Sequence, residues 1–202
     1  MKFGAIILAG GSGTRFGNEK KQFFEFHGKK LFEIVLDKIT KVIDRKNVVV
    51  VGVDVPGGET RSKSVVNGLK KLDCDTDKVI ILEAARPLVT VEQIKRILEF
   101  NSESVTFVIP CVNSPIFRNG VFINRKELYD LLVPQCFNYN KLKRAYDTGK
   151  YLDMTDETRV MFDEYGIKPD FIETTQNLYK VTYKRDIAVI ESIYQMMEEN
   201  KI

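Results

Sequence analysis

Ala5-Ile6-Ile7-Leu8-Ala9-Gly10-Gly11-Ser12-Gly13-Thr14-Arg15-Phe16-Gly17, followed by Asn18-Glu19-Lys20-Lys21-Gln22-Phe23-Phe24, is the stretch that decides how this chain is read. The apolar run Ala5 to Leu8 reads as a buried strand, and the small residues after it let the main chain turn sharply and approach a ligand. Exposed N–H groups in such a loop bind anions, and Arg15 and Lys21 add positive charge at the same place. A strand ending in a cradle for a nucleoside triphosphate is the expectation. Spacing excludes two commoner glycine-rich motifs. A Walker loop needs Lys and then Ser or Thr directly after a second Gly that stands five positions beyond the first, and no glycine here satisfies that. The dinucleotide fingerprint needs a third Gly at position 16, where Phe16 stands. The residues alone leave two plainer alternatives open: a mere strand-to-helix turn, and a surface Arg15 paired with Glu19.

Working outward, Leu31 to Ile39 has apolar residues at helical spacing, and Asn47-Val48-Val49-Val50-Val51-Gly52-Val53 is a β-branched strand buried on both faces. Pro56-Gly57-Gly58-Glu59-Thr60 turns into a helix over Ser62 to Leu72. The third strand is Lys78-Val79-Ile80-Ile81-Leu82, which ends at Glu83-Ala84-Ala85-Arg86-Pro87. Thr90 and Gln93 form a capping-box pattern for a helix that runs to about Phe100. Val105 to Pro110 is the fourth strand. This alternation predicts an α/β fold, a Rossmann-like, mostly parallel twisted sheet flanked by helices, with ligands gathered at the carboxyl ends of the strands.

Beyond Ser114 the pattern changes. The Asn119-Gly120 turn between Ile116-Phe117 and Val121-Phe122-Ile123 predicts a short hairpin arm, about 115–124, that projects from the sheet. Short helices are expected over Asn140 to Asp147 and Asp156 to Tyr165. Phe171-Ile172-Glu173 and Tyr179 to Thr182 read as strands, and Lys184 to Glu199 as a closing amphipathic helix. The expectation is one domain over 1–202, built on a seven-stranded sheet.

Composition narrows the function. A chain of 202 residues with 44% hydrophobic content can bury one good core. The formal charge of +3 comes from 31 basic and 28 acidic residues that are well mixed, so no nucleic-acid partner is expected. The three cysteines, Cys74, Cys111 and Cys136, lie in no zinc-ligand spacing. No stretch has the length of a membrane span, and a cytoplasmic location is the expectation.

The ordered set Leu8-Ala9-Gly10-Gly11-Ser12-Gly13-Thr14-Arg15-Phe16, Lys21-Gln22-Phe23, Gly57-Gly58-Glu59-Thr60-Arg61-Ser62-Lys63-Ser64-Val65, Glu83-Ala84-Ala85-Arg86-Pro87, Thr155-Asp156-Glu157 and Lys180-Val181-Thr182 resembles the cytidylyltransferase family that includes methylerythritol-phosphate and ribitol-phosphate cytidylyltransferases. The first motif is shared with many nucleotidyltransferases; the ordered set is more specific. The resemblance implies a GT-A-type nucleotidyltransferase that joins CMP from CTP to a small phosphorylated acceptor and releases pyrophosphate, with Mg²⁺. It implies a nucleotide site made of Leu8, Ala9, Gly10, Gly11, Ser12, Gly13, Thr14, Gly57, Gly58, Glu59, Ser64 and Ala84. Arg15, Lys21 and Lys180 would surround the triphosphate, Glu83 would bind the metal, and Arg86 and Thr155 would hold the acceptor, joined by Tyr139 where this chain departs from the family. A homodimer is a further implication.

The residue types suit that chemistry. An acceptor phosphate is already ionised at neutral pH, so no strong general base is needed, which agrees with a chain whose one histidine, His27, sits in no catalytic setting. Alignment and charge neutralisation are needed instead. Bland roles stay open for single residues: Glu83 as the partner of Arg86 rather than a metal ligand, and Ser64 as a helix-lining hydroxyl. One of Lys20 and Lys21 is expected to be merely solvated. Lys180 in an apolar segment is harder to explain blandly, because an unpaired buried ammonium is costly.

The departures are as informative. Glu83 replaces the family's Asp, Lys20 stands where a Pro precedes Lys-Gln, and the arm is cut to about ten residues. Tyr139 stands where an acceptor-binding Arg follows Pro134-Gln135. These changes predict an acceptor other than methylerythritol phosphate, such as a phosphorylated amide like phosphoglutamine or a short polyol phosphate of a surface-polysaccharide pathway. Methylerythritol phosphate itself, a UTP- or GTP-using sugar-phosphate enzyme, and a non-catalytic nucleotide-binding protein are the alternatives.

Overall fold

The valine run and the apolar stretches at 3–8 and 78–83 do become adjacent strands of one sheet, with the valine run at its edge. A computed structural model describes residues 1–17, 19–174 and 178–199. Its elements in order are β1 (Phe3–Leu8), the two-residue strands β2 (Glu25–Phe26) and β3 (Lys29–Lys30), α1 (Leu31–Ile39), β4 (Val48–Val51), α2 (Arg61–Lys71), β5 (Lys78–Glu83), α3 (Val91–Glu99), β6 (Ser104–Pro110), β7 (Tyr129–Asn138), α4 (Tyr139–Asp147), α5 (Glu157–Tyr165), β8 (Asp170–Glu173) and α6 (Asp186–Glu198). The main sheet has six strands in the order β4-β1-β5-β7-β6-β8, while β2 and β3 pair only with each other. β1 runs parallel to β4 and β5, and β6 parallel to β8; β7 is antiparallel to both its neighbours.

Strand alternation sorts the core into two faces. Ala5 and Ile7 of β1 join Val35, Ile39, Ile94 and Ile97 of α1 and α3 on one side, whereas Ile6 joins Val65, Leu69, Leu142 and Met161 of α2, α4 and α5 on the other. α3 starts where expected. The Thr90 hydroxyl accepts from the Gln93 N–H and the Gln93 side chain accepts from the Thr90 N–H, a cap that contributes about 1 kcal/mol. A third cluster of Phe16, Phe26, Leu31, Leu88, Val181 and Ile190 seats α6 against the loops that leave β1 and β5.

Two expectations change. Six strands replace seven: Tyr129–Asn138, which carried no strand assignment from the sequence, lies between β5 and β6. Pro134 sits where the β6 register slips between Thr106 and Phe107, and a proline is tolerated at such a bulge because no ladder donor is needed there. Tyr179 to Thr182 is not a strand. Its main-chain tie to the loop after β5 is one bond, from the Val181 N–H to the Ala85 carbonyl at 2.8 Å, which leaves side chains rather than a ladder to fix Lys180. The arm closes through a single bridge, Ile116 to Phe122, with Phe117 and Phe122 57% and 80% exposed, so it does project.

Candidate active site

The carboxyl ends of β1 and β5 meet at one cleft. The Leu8 carbonyl accepts from the Ala84 N–H at 3.1 Å, and the Ala9 N–H donates to the Val51 carbonyl at 2.9 Å. From there the Gly10 loop presses against the Gly57 loop, where a Cβ on Gly10 would stand 2.8 Å from the Gly57 Cα. Only glycine at both positions permits that approach. Gly13 has φ of 73°, and a Cβ there would strike the Glu19 carbonyl. Gln22, 4% exposed, donates from Nε2 to the Gly11 carbonyl at 3.1 Å and so fixes the loop from beneath.

The cleft measures about 520 Å³ and is lined by Leu8, Ala9, Gly10, Gly11, Ser12 and Arg15 from the first loop, and by Gly58, Glu59 and Ser64 beside them. Glu83, Ala84 and Lys180 close it from the β5 side. Its volume lies in the range of small-molecule sites. Five cationic side chains, Arg15, Lys20, Lys21, Arg61 and Lys180, face two carboxylates, Glu59 and Glu83. Ser64 has both a structural and a lining position: its Oγ accepts from the Gly58 N–H at 2.9 Å and donates to the Thr60 carbonyl at 3.1 Å. Glu59 lies on the exposed rim, paired with Lys63 at 2.5 Å.

Glu83, the last residue of β5, is the electrostatic hub. Lys180 Nζ lies 3.0 and 2.8 Å from its two oxygens, Arg86 Nε 3.3 Å and Arg61 Nε 3.4 Å away. Burial alone would raise this carboxyl; Lys180, Arg86 and Arg61 together bring it down to about 2. Arg61 is fixed in turn by Glu157, the wholly buried first residue of α5, which accepts from Nη1 at 2.5 and 2.6 Å and from the Tyr146 hydroxyl at 2.9 Å. Burial opposes the Arg61 charge, but the Glu157 carboxylate holds its pKa above the usual arginine value.

Lys21 reaches the same place from the first loop. Its Nζ donates to the Val181 carbonyl at 2.8 Å. Burial first, and then the neighbouring Lys180 and Arg15 against the opposing pull of Glu83, push its pKa down to about 8. Arg86 Nη1 also donates to the Leu178 carbonyl, so three bonds from Lys21, Arg86 and Val181 hold the Leu178–Thr182 segment over the cleft. Asp186 completes the brace by accepting from the N–H groups of Thr182 and Tyr183 at 2.7 and 2.8 Å.

Not every expected residue comes here. Tyr139 is a correction: it is 2% exposed and its hydroxyl donates to the Leu69 carbonyl at 3.0 Å. Its neighbour Asn138 pairs with Lys78, the first residue of β5, so Tyr139 packs at the opposite end of the sheet from Glu83. Gly13, Thr14 and Gly57 shape the loops without lining the cleft, Arg86 stands behind Glu83, and Thr155 is exposed just ahead of α5. Glu83, open as either a metal ligand or the partner of Arg86, takes ion-pair partners on both oxygens. Among the described residues no group of three His, Cys, Asp or Glu side chains could hold a metal ion. The site residues that sequence reasoning missed are Lys20, Gln22, Thr60, Arg61 and Ala85. Lys20 lines the cleft beside Lys21. Arg61 carried one signal, a cation inside the Gly57 to Val65 motif with no acidic residue one turn away.

A family model described as "2-C-methyl-D-erythritol 4-phosphate cytidylyltransferase" matches residues 3–196. The chain is 30% identical, over 96% of its length and 97% of the relative's, to the protein of that name from Thermotoga neapolitana. It is 31% identical to the one from Clostridium botulinum, over 97% of this chain and 99% of the other. Among solved structures, a 4-diphosphocytidyl-2C-methyl-D-erythritol synthase from Anaerococcus prevotii superposes with a TM-score of 0.80 at 22% identity, covering 96% of each chain. The bifunctional IspDF of Campylobacter jejuni superposes at 0.79 and 24% identity, over 93% of this chain and 54% of that one.

Proposed function

Since the chain belongs to the 2-C-methyl-D-erythritol 4-phosphate cytidylyltransferase family and is therefore a CTP-dependent cytidylyltransferase, we propose that its acceptor is 2-C-methyl-D-erythritol 4-phosphate. The names of the relatives support this acceptor. Tyr139, one support for a phosphorylated amide, packs away from the cleft, and nothing else favours that compound or a polysaccharide pathway. The observation that carries the reading is the Glu83 hub, which gathers cations from three separate segments at the mouth of a glycine-rich loop.

In this reading a phosphate oxygen of the acceptor attacks the α-phosphorus of CTP, and the bond to the β-phosphate oxygen breaks to release pyrophosphate. Main-chain groups of Ala9, Gly10 and Gly58 read the cytosine edge, and Ser64 and Glu59 flank the ribose. Arg15, Lys20 and Lys21 bind the β- and γ-phosphates and stabilise the charge that grows on the leaving pyrophosphate. Lys180 holds the acceptor phosphate in line, its position fixed by Glu83 with Arg86 behind it. No residue needs to remove a proton, because the nucleophile is already an anion. What the site supplies is alignment and opposing charge, the two terms that dominate transfers of this kind. The donor set does not suit an ion held by protein alone, so Mg²⁺ belongs to the substrate, as the CTP complex.

The test is turnover with Mg²⁺ and CTP against a panel of 2-C-methyl-D-erythritol 4-phosphate, ribitol phosphate and phosphoglutamine, followed by pyrophosphate release. The expected result is the highest kcat/KM with the first. A higher value for another acceptor would return the shortened arm at 115–124 to the centre of the specificity argument.

A further inference from the structure

On the other side of the Glu83–Pro87 loop lies a second cavity of about 320 Å³ that shares no lining residue with the cleft. Its walls are apolar: Phe26 from the β2–β3 hairpin, Ile34 from α1, Pro87 and Leu88 from the loop after β5, and Tyr194 from α6. Three ammonium groups open onto it, Lys29, Lys38 and Lys41, against one carboxylate, Asp37, which Lys29 already pairs. His27 on the rim is held by Glu191 at 2.9 Å.

Lys38 is the group that needs explaining. Its Nζ donates to the Pro87 carbonyl at 2.7 Å, and among the described residues no carboxylate lies within ion-pair distance. An ammonium carries three donors, so two of those on this half-buried side chain are left for solvent or a ligand beside an apolar wall. Burial pushes its pKa down to about 8, with Lys41 adding to the effect and the more distant Glu92 opposing it. Leucine, methionine or glutamine at this position of α1 would avoid that cost. A ligand with a negative head and an apolar body would offset it and would fill the wall at once.

We propose that this cavity is a binding site for a small amphiphilic anion, an aromatic or branched-alkyl body bearing a carboxylate or phosphate, with Lys38 and Lys41 on its head and Phe26, Ile34, Leu88 and Tyr194 around its body. Pro87 follows Arg86 directly in the chain, so an occupant touches the same loop that carries the Glu83 hub.

Calorimetric titration of the full chain with 1-naphthylacetate and with 1-naphthyl phosphate tests this, with inorganic triphosphate present to fill the cleft. Neutral 1-naphthylacetamide is the comparison. At least one anion should bind with one-to-one stoichiometry and at least about tenfold more tightly than the amide, the size of one charge-assisted hydrogen bond. Lys38→Met should weaken the anion by about tenfold and leave the amide within about twofold, while Lys38→Arg should restore most of the difference. Ile34→Trp, which fills the cavity without touching the charge, should abolish binding of both. Equal binding of anion and amide, an anion affinity indifferent to Lys38→Met and Ile34→Trp, or a complex structure with the probe on the exposed arm around Phe117 would each overturn the assignment.

Discussion

Replacing Glu83 with glutamine separates the hub role from the metal-ligand role. The carboxyl falls from 4.5 to about 2 in the folded protein, and each pKa unit is worth about 1.4 kcal/mol. The three surrounding cations, net of the opposing effect of burial, therefore favour its ionised form by about 3 kcal/mol. Glu83→Gln keeps the shape but removes the charge, leaving Arg61, Arg86 and Lys180 to repel one another. About 3 kcal/mol of stability should be lost at neutral pH, which for a chain of this size is roughly 6–12 °C in Tm. The sign is fixed by the direction of the shift. A depressed carboxyl contributes stability above its unfolded value and loses it as pH falls toward the folded one. The difference in Tm between parent and variant should accordingly be full at pH 7 and shrink from about pH 4.5 down toward 2.

The kinetic half of the prediction points the same way. Freed of their anion, the cations still attract CTP, so its KM should not rise, but Lys180 and Arg86 lose their fixed positions. A fall in kcat of about a hundredfold or more is expected, the scale of one displaced electrostatic group. Thermal melts at several pH values, together with steady-state rates at varied CTP and Mg²⁺, measure all of this. If Glu83 held the metal instead, Glu83→Gln would melt within about a degree of the parent and would raise the half-saturating Mg²⁺ concentration by tenfold or more. That pair of results would refute the hub.

Other outcomes follow from the same geometry. Lys21→Met should lose about a hundredfold in kcat or more without a fall in Tm, because it removes a charge that burial disfavours; Lys180→Ala should lose both activity and stability, since it strips a partner from Glu83. With the Lys21 pKa near 8, the ammonium is present below that pH, so kcat/KM for CTP should fall as pH rises through 8, and Lys21→Arg should move the fall upward. CTP should bind at least about tenfold more tightly than UTP in a calorimetric titration, because fixed main-chain groups pair with an amino donor or a carbonyl acceptor at position 4, not both. EDTA should abolish turnover and added Mg²⁺ restore it, the substrate being the metal complex of CTP; undiminished turnover in EDTA would contradict that.

What could be read from the sequence was what local chemistry dictates. The Gly10 and Gly57 loops, the Val48–Val51 run and the Thr90 cap each announce themselves within a few residues, since a tight turn, a doubly buried strand and a capping box have short signatures. Lys180 was recognisable by its cost, an ammonium in an apolar segment, although its partner Glu83 stands 97 positions away. Pairings between distant segments had no such signature. Arg61 and Glu157 look like ordinary residues in the first turns of two helices, and only the packing of α2 and α5 around α4 brings them together as a pair. β7 hid for the opposite reason. Pro134 in its middle argues against a strand until the partner β6 is known to slip its register there. Tyr139 failed because a tyrosine at a strand–helix junction carries an apolar ring and one hydroxyl, and the Leu69 carbonyl satisfied that hydroxyl as well as any substrate could. The residues whose roles changed are thus those whose partners lie across the fold. Glu83, which the sequence offered as either metal ligand or ion-pair member, gains its ion-pair partners because two arginines and a lysine from separate segments converge on it.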